Sequence, residues 1–204
     1  MADINAQVQQ LYVAYFNRPA DYLGLQYWTK AAGTTAGHDT MVSSFSQSDE
    51  YHAMYDGMDS RVLVDTVYQN LFGRHAESAG IDFWAAQLDQ KNVTIGDVVT
   101  AVAAGAQGTD SVVFNAKVGV AELFTDHLDQ AAERLAYNGS SANQMAADYL
   151  AAIKDPATAG IALEPSNVDA LISKITGGLQ LPGATGVEAH LVGVANVAAT
   201  PLHG

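Results

Sequence analysis

Apolar residues recur along this chain with helical spacing. Val8, Leu11, Tyr12, Tyr15 and Phe16 fall at i, i+3, i+4, i+7 and i+8, which is one face of an amphipathic helix. The same face returns at Val64, Val67, Tyr68, Leu71 and Phe72, and again at Val120, Leu123, Phe124, His127 and Leu128, each time 56 residues on. Between the first two copies the match goes further. Tyr12, Arg18, Gly24 and Trp28 are answered by Tyr68, Arg74, Gly80 and Trp84 at the same offset of 56. In the third copy the places of Arg74, Gly80 and Trp84 are Gln130, Ala136 and Ser140, so only the packing face persists. A fixed-period self-match predicts a helical array, and a terminal copy that departs from its neighbours suits a cap.

The punctuation between these faces predicts an all-α fold of roughly nine helices. Asn17 tolerates a left-handed helix end, Gly73 takes the same place in the second copy, and Pro19 stops continuation. Helices are expected over 20–32, 39–47 and about 95–104, the last opened by a capping box at Thr94-Ile95-Gly96-Asp97. Residues 33–38 read as a turn and 48–59 as a polar stretch ending in a loop. The third copy reads as one long helix over 112–134, followed by short helices over 143–153 and 168–175. Ser166-Asn167-Val168-Asp169 looks like a second capping box. The units run over about 6–58, 62–110 and 112–176, so that 1–176 forms the helical repeat domain. Residues 177–204 are rich in Gly, Ala and Val and read as a linker or the start of a β-rich region, with a short strand at 190–197.

Each motif residue has a packing role open to it. Gly24 and Gly80 let helices approach closely. Arg18 and Arg74 follow a helix end, where a guanidinium caps loose carbonyls or holds a carboxylate. Trp28 and Trp84 share a helical phase with Leu25 and Ile81, which points them inward rather than toward a sugar.

Charge narrows the partners. With 9 basic against 22 acidic residues, the formal charge of −13 argues against nucleic acid, whose phosphates require Lys and Arg. It also argues against electrostatic binding to an anionic membrane. There is no cysteine, so disulfides and thiolate metal sites are excluded. No apolar run is long enough to span a bilayer, and the start, MADINAQVQQ, lacks the basic and apolar regions of a Sec signal peptide. Calcium is the ion that acidic chains suit, and Asp56-Gly57-Met58-Asp59, with Asp49 and Glu50 just upstream and Asp65 just downstream, offers it two or three carboxylates plus backbone carbonyls. The competing and favoured reading is a plain turn with Asp59 as a helix N-cap. His38, His52, His75, His127, His190 and His203 make no paired metal spacing, and His127 falls on the apolar stripe as a core histidine would. No nucleophile elbow, phosphate loop or HExxH is present, and the chain reads as non-enzymatic. For glycan contact the candidates are Tyr22, Tyr51, Tyr55 and Tyr137, read as lying in loops or off the apolar faces.

The repeated pattern of Tyr, Phe or Leu, Arg, Gly and Trp, with Ser48-Asp49-Glu50-Tyr51 at a helix end after the first copy, resembles the DUF4214 family of helical repeats. It is also similar to the phycobilisome linker domain. The resemblance covers about residues 6–130. It implies two DUF4214-like units plus a degenerate third, within an S-layer or RTX-type secreted bacterial protein. It further implies a cell-surface location reached by leaderless type I secretion, and anchoring to lipopolysaccharide O-antigen or a similar surface polysaccharide, with self-association in a lattice. The linker-domain likeness implies instead a protein–protein scaffold or self-assembly module. RTX nonapeptides, which the first picture calls for, are absent from these 204 residues.

Overall fold

A computed structural model describes residues 4–31 and 35–177, without the side chains of 32–39. The described chain is all-helical. Twelve helices follow one another: α1 (Ile4–Phe16), α2 (Tyr22–Ala31), α3 (Thr35–Phe45), α4 (Asp49–Tyr55), α5 (Ser60–Phe72), α6 (Ser78–Asp89), α7 (Ile95–Ala104), α8 (Gly108–His127), α9 (Ala131–Ala136), α10 (Ser140–Ala151), α11 (Pro156–Ala162) and α12 (Pro165–Gly177).

The helix ends follow from short-range chemistry. Asn17 closes α1 with φ 48° and Gly73 closes α5 with φ 68°, both left-handed. Asp59 caps α5 by accepting from the Arg61 amide. Thr94 and Asp97 form a reciprocal capping box at α7. Several expectations need correcting. Ser48 does not end a helix but starts α4, its hydroxyl accepting from the Tyr51 amide. Residues 35–38 already belong to α3. The long third helix stops at His127. Arg134 from α9 donates to the carbonyls of Leu128 and Asp129 at 2.6 and 2.8 Å, taking up acceptors a continuing helix would have used. The helix α11 was not anticipated: Pro156 sits in its first turn, where a missing N–H costs nothing, and Asp155 caps it. The helix α12 opens at Pro165, so Ser166 lies inside its first turn and does not cap it. Residues 178–204, with the strand expected at 190–197 and with His190 and His203, lie outside the described residues, as does the His38 side chain.

The 20-residue α8 is the spine. The helices α1, α5, α11 and α12 pack on it, α2 and α6 pack on α1 and α5 respectively, and α9 and α10 pack on α12. Its buried face carries Val113, Phe114, Val120, Ala121 and Phe124, which join Val8, Tyr12, Phe16, Val67 and Leu71 in one core.

That core contains a polar seam. Lys117, at the middle of α8, is fully buried. Its ammonium donates to Asn17 Oδ1 at 3.1 Å, to the Gln69 carbonyl at 3.2 Å and to the Asn70 carbonyl at 2.7 Å. These oxygens stand at the C-terminal ends of α1 and α5, where helix dipoles favour a cation. Asn70 in turn donates to the Ala14 carbonyl at 3.1 Å, and Asn17 to the Ala147 carbonyl at 3.0 Å. Further along, Gln9 of α1 donates to Thr125 of α8 at 2.9 Å and accepts from the Ala20 amide.

Each of the α1–α2 and α5–α6 pairs brings a tyrosine hydroxyl against a glycine. A Cβ built on Gly24 would stand 2.3 Å from the Tyr12 hydroxyl and 2.9 Å from Asp21 Oδ2, whereas one on Gly80 would stand 3.4 Å from the Tyr68 hydroxyl. Tyr12 is fully buried and hemmed in by Phe16 and Phe45, so it cannot yield.

Two predictions follow from this packing. Gly24→Ala destabilises by about 1–3 kcal/mol through overpacking, while Gly80→Ala is neutral or gains a few tenths from lost unfolded-state freedom. Parallel urea titrations would show it, and equal losses would contradict the packing described. The second concerns Lys117, whose pKa is pulled down to about 7 by burial, with Lys154 acting in the same sense. In the unfolded chain it titrates near its ordinary 10.5. Between those values the unfolded state binds more protons, so stability rises with pH, by at most about 1.4 kcal/mol per pH unit. Above about pH 10 the buried tyrosines oppose this, because their pKa values are raised and the unfolded state loses their protons first. Denaturation at pH 7, 8.5 and 9.5 is expected to show the rise in the native chain and its absence in Lys117→Met.

Candidate binding cleft

The two motif arginines occupy comparable positions just after α1 and α5, and each does two jobs. Arg18 gives its Nε and Nη2 to the two oxygens of Glu50 at 2.7 and 2.6 Å, and its Nη1 to the Pro19 carbonyl at 2.9 Å. Arg74 gives its Nε and Nη2 to the two oxygens of Asp110 at 2.8 and 2.6 Å, and its Nη1 to the His75 carbonyl and to Glu77, both at 2.9 Å. Such two-point pairing fixes the guanidinium plane as well as its charge. Each guanidinium also lies over two rings, Tyr12 and Phe16 in one case and Tyr68 and Phe72 in the other, at 5.1 to 5.8 Å.

What surrounds them differs. The Arg18 side chain is 2 % exposed and that of Arg74 is 38 %. Around Arg18 the space is filled by Phe45, whose ring lies 4.8 Å from Tyr12, 5.6 Å from Phe16 and 5.7 Å from Trp28. Met41 is fully buried in the same cluster. Phe45 and Met41 stand five and nine residues before Glu50; five and nine before Asp110 stand Gly105 and Ala101. Two large side chains are thus replaced by a hydrogen and a methyl. The result is an open cleft of about 310 Å³ walled by Tyr68, Phe72 and Trp84, floored by Ala101, Val102, Gly105 and Ala106, and rimmed by Arg74, Glu77 and Asp110. Trp84 is half-buried, where Trp28 is 2 % exposed. A hydrogen bond links Trp84 to the Tyr68 hydroxyl, whose pKa is raised, by burial first and Glu77 second. The hydrogen bonds that Arg74 donates to Asp110 hold its guanidinium above the ordinary value, with burial opposing.

The tyrosines expected to meet a glycan lie elsewhere, and two must be corrected. Tyr55 is buried, donating to the Tyr15 carbonyl and accepting from Asn70 at 3.2 Å. Tyr137 is buried, with its hydroxyl 2.8 Å from the Pro19 carbonyl and its ring edge-on to Phe124. Both serve the core, and no ligand reaches them. Tyr51 is half-buried against Tyr15 and Tyr55, and Tyr22 is half-buried under Arg134 at 4.0 Å. His127 is likewise not a core residue; it sits at the surface, 2.6 Å from Asp169. In the acidic turn Asp56 pairs with His52 at 2.8 Å and Asp59 caps α5. Among the described residues no three or more His, Asp and Glu side chains stand together as a metal site would need.

Sequence reasoning missed the two pairings because Glu50 and Asp110 lie 32 and 36 residues from their arginines, which breaks the 56-residue phase by four. Aligning the copies on those two carboxylates would have revealed the exchange of Phe45 for Gly105.

Among the described residues no helix is long and apolar enough to cross a membrane. No curated protein and no solved structure matches the chain. One family does, described as "Domain of unknown function (DUF4214)", over residues 42–107. That stretch runs from α3 through α7, across the boundary expected between 58 and 62, and it takes in Arg74, Gly80, Trp84 and the floor of the cleft. A DUF4214 domain is therefore present at residues 42–107.

Proposed function

We propose that this chain is a non-enzymatic, cell-surface anchoring module of an S-layer or RTX-type secreted protein. In this reading it binds lipopolysaccharide O-antigen or a similar surface glycan through the cleft beside Trp84. The observation that carries it is the vacancy left where Gly105 and Ala101 stand in the places of Phe45 and Met41. The first arginine site displays a six-membered ring seated on Tyr, Phe and Trp. A pyranose has the same girth, an apolar C–H face for Trp84, and hydroxyls for the Glu77 and Asp110 rim. A concave site with aromatic walls and a few convergent polar groups is the common form of a small-ligand pocket. The surface setting and type I secretion are supported by the family resemblance alone.

Phe83 favours a second reading. It is 55 % exposed beside Trp84, edge-on at 4.9 Å, and would suit a protein–protein scaffold that self-associates.

The test refills the cleft. Gly105 has an ordinary helical backbone, φ −81°, that any residue adopts. Ala101→Met with Gly105→Phe is expected to keep or raise the melting temperature while cutting binding to lipopolysaccharide-bearing cells by about tenfold or more, equivalent to about 1.4 kcal/mol. Trp84→Ala should lose binding to a similar extent. The native chain should not bind cells lacking O-antigen. Equal binding to both cell types, or full binding by the refilled variant, would sink the proposal. Concentration-dependent sedimentation abolished by Phe83→Ser, with no glycan dependence, would instead support the scaffold.

A further inference from the structure

The rim of the cleft says more about its ligand than the walls do. Four of the five guanidinium N–H groups of Arg74 are already committed: two to Asp110, one to Glu77 and one to the His75 carbonyl. An arginine that recognises a ligand carboxylate or phosphate must offer its fork, and this fork is taken by Asp110. The charges on the rim are one guanidinium against two carboxylates, a sum of −1, on a chain whose formal charge is −13. Glu77 is the surplus. Its side chain is 69 % exposed, and only one of its oxygens is occupied by Arg74. Although it stands at the N-cap of α6, it makes no side-chain cap bond there. A free carboxylate oxygen accepts hydrogen bonds and donates none. The rim therefore asks for hydroxyl donors and repels anions.

Resting on the glycan reading above, we infer that the cleft selects an uncharged, hydroxyl-bearing sugar ring and rejects acidic sugars. The ring stacks on Trp84 where Phe45 would stand in the first site, and its hydroxyls donate to Glu77 and Asp110. An acidic sugar fits the same walls but surrenders its hydration to meet two carboxylates whose only counter-charge is spent. Binding of the neutral ring should also be nearly indifferent to salt, because no ligand charge is being paired.

The test uses matched neutral and uronic acid oligosaccharides that differ only in a C6 hydroxymethyl oxidised to a carboxylate. Calorimetric titration of the full chain at low and high salt would be run on the native protein, Trp84→Ala and Glu77→Gln. The neutral sugar is expected to bind with little salt dependence, and the uronate about tenfold or more weaker at low salt. Glu77→Gln, which removes one repelling charge, should narrow that gap while leaving the fold intact. A uronate that binds as well as its neutral partner, and loses binding in Trp84→Ala, would overturn the selectivity and leave the cleft reading standing. Binding of neither sugar, or binding untouched by Trp84→Ala, would overturn the cleft reading and the selectivity with it.

Discussion

A single buried lysine ties three helices together. Lys117 lies fully buried in α8, and its three donors meet three oxygens at the ends of α1 and α5. Burying a charge is costly, and the cost is tolerable only where every donor is satisfied. That condition constrains the fold more tightly than apolar packing could. The three contacts of Lys117 with oxygens of α1 and α5 add a polar register to the apolar packing of those helices on α8. Asn17 and Asn70 extend the constraint to α10 and back onto α1, so the seam links elements more than 100 residues apart.

The same helix ends that feed the seam also launch the arginines. Asn17 and Gly73 turn the chain through left-handed conformations, and the next residue in each case is the motif arginine. Its guanidinium is then gripped by a carboxylate from the helix that follows α3 or α7. Seam and grip together fix α1 to α4 in one place and α5 to α8 in another. Within such rigid frames a change of side-chain volume is not absorbed by collapse. It persists as a cavity, which is why replacing two large residues near Asp110 leaves an open cleft rather than a tighter helix pair.

Much of this was legible in the sequence, and what was not has identifiable causes. Periodicity located the inner faces of α1 and α5, and local chemistry located the turns at Asn17, Gly73 and Thr94, because these signals lie within one helical turn. Two features of the core are not legible in this way. Lys117 carries no sequence mark of burial, since its satisfaction depends on oxygens 47, 48 and 100 residues away. Tyr55 and Tyr137 were read as exposed because α4 and α9, of 7 and 6 residues, are too short to display a face. The helix α11, opened by Pro156, is only 7 residues long and offers no periodic face to announce it. The cleft itself was hidden by taking 56 as a rigid period, when the arginine–carboxylate spacings, 32 and 36 residues, differ by four.

The two arginine sites share one arrangement, an arginine just after a left-handed helix end paired with a carboxylate, and differ in what surrounds it. Around Arg18, Phe45 and Met41 complete the core, and burial of such side chains is worth on the order of 2 kcal/mol each. Around Arg74 that contribution has been given up, and the apolar walls it would have covered are left facing solvent. Natural chains tolerate such a deficit where exposure serves a partner and the remainder of the fold is stable enough to bear it. Here the remainder is the seam and the Arg74–Asp110 grip, neither of which needs the missing side chains. Because the walls are held from behind, an occupant of the cleft meets a preformed surface and need not order it. The rigidity comes from the seam and the grip, and the opening comes from Ala101 and Gly105, the two residues with the least side chain to contribute.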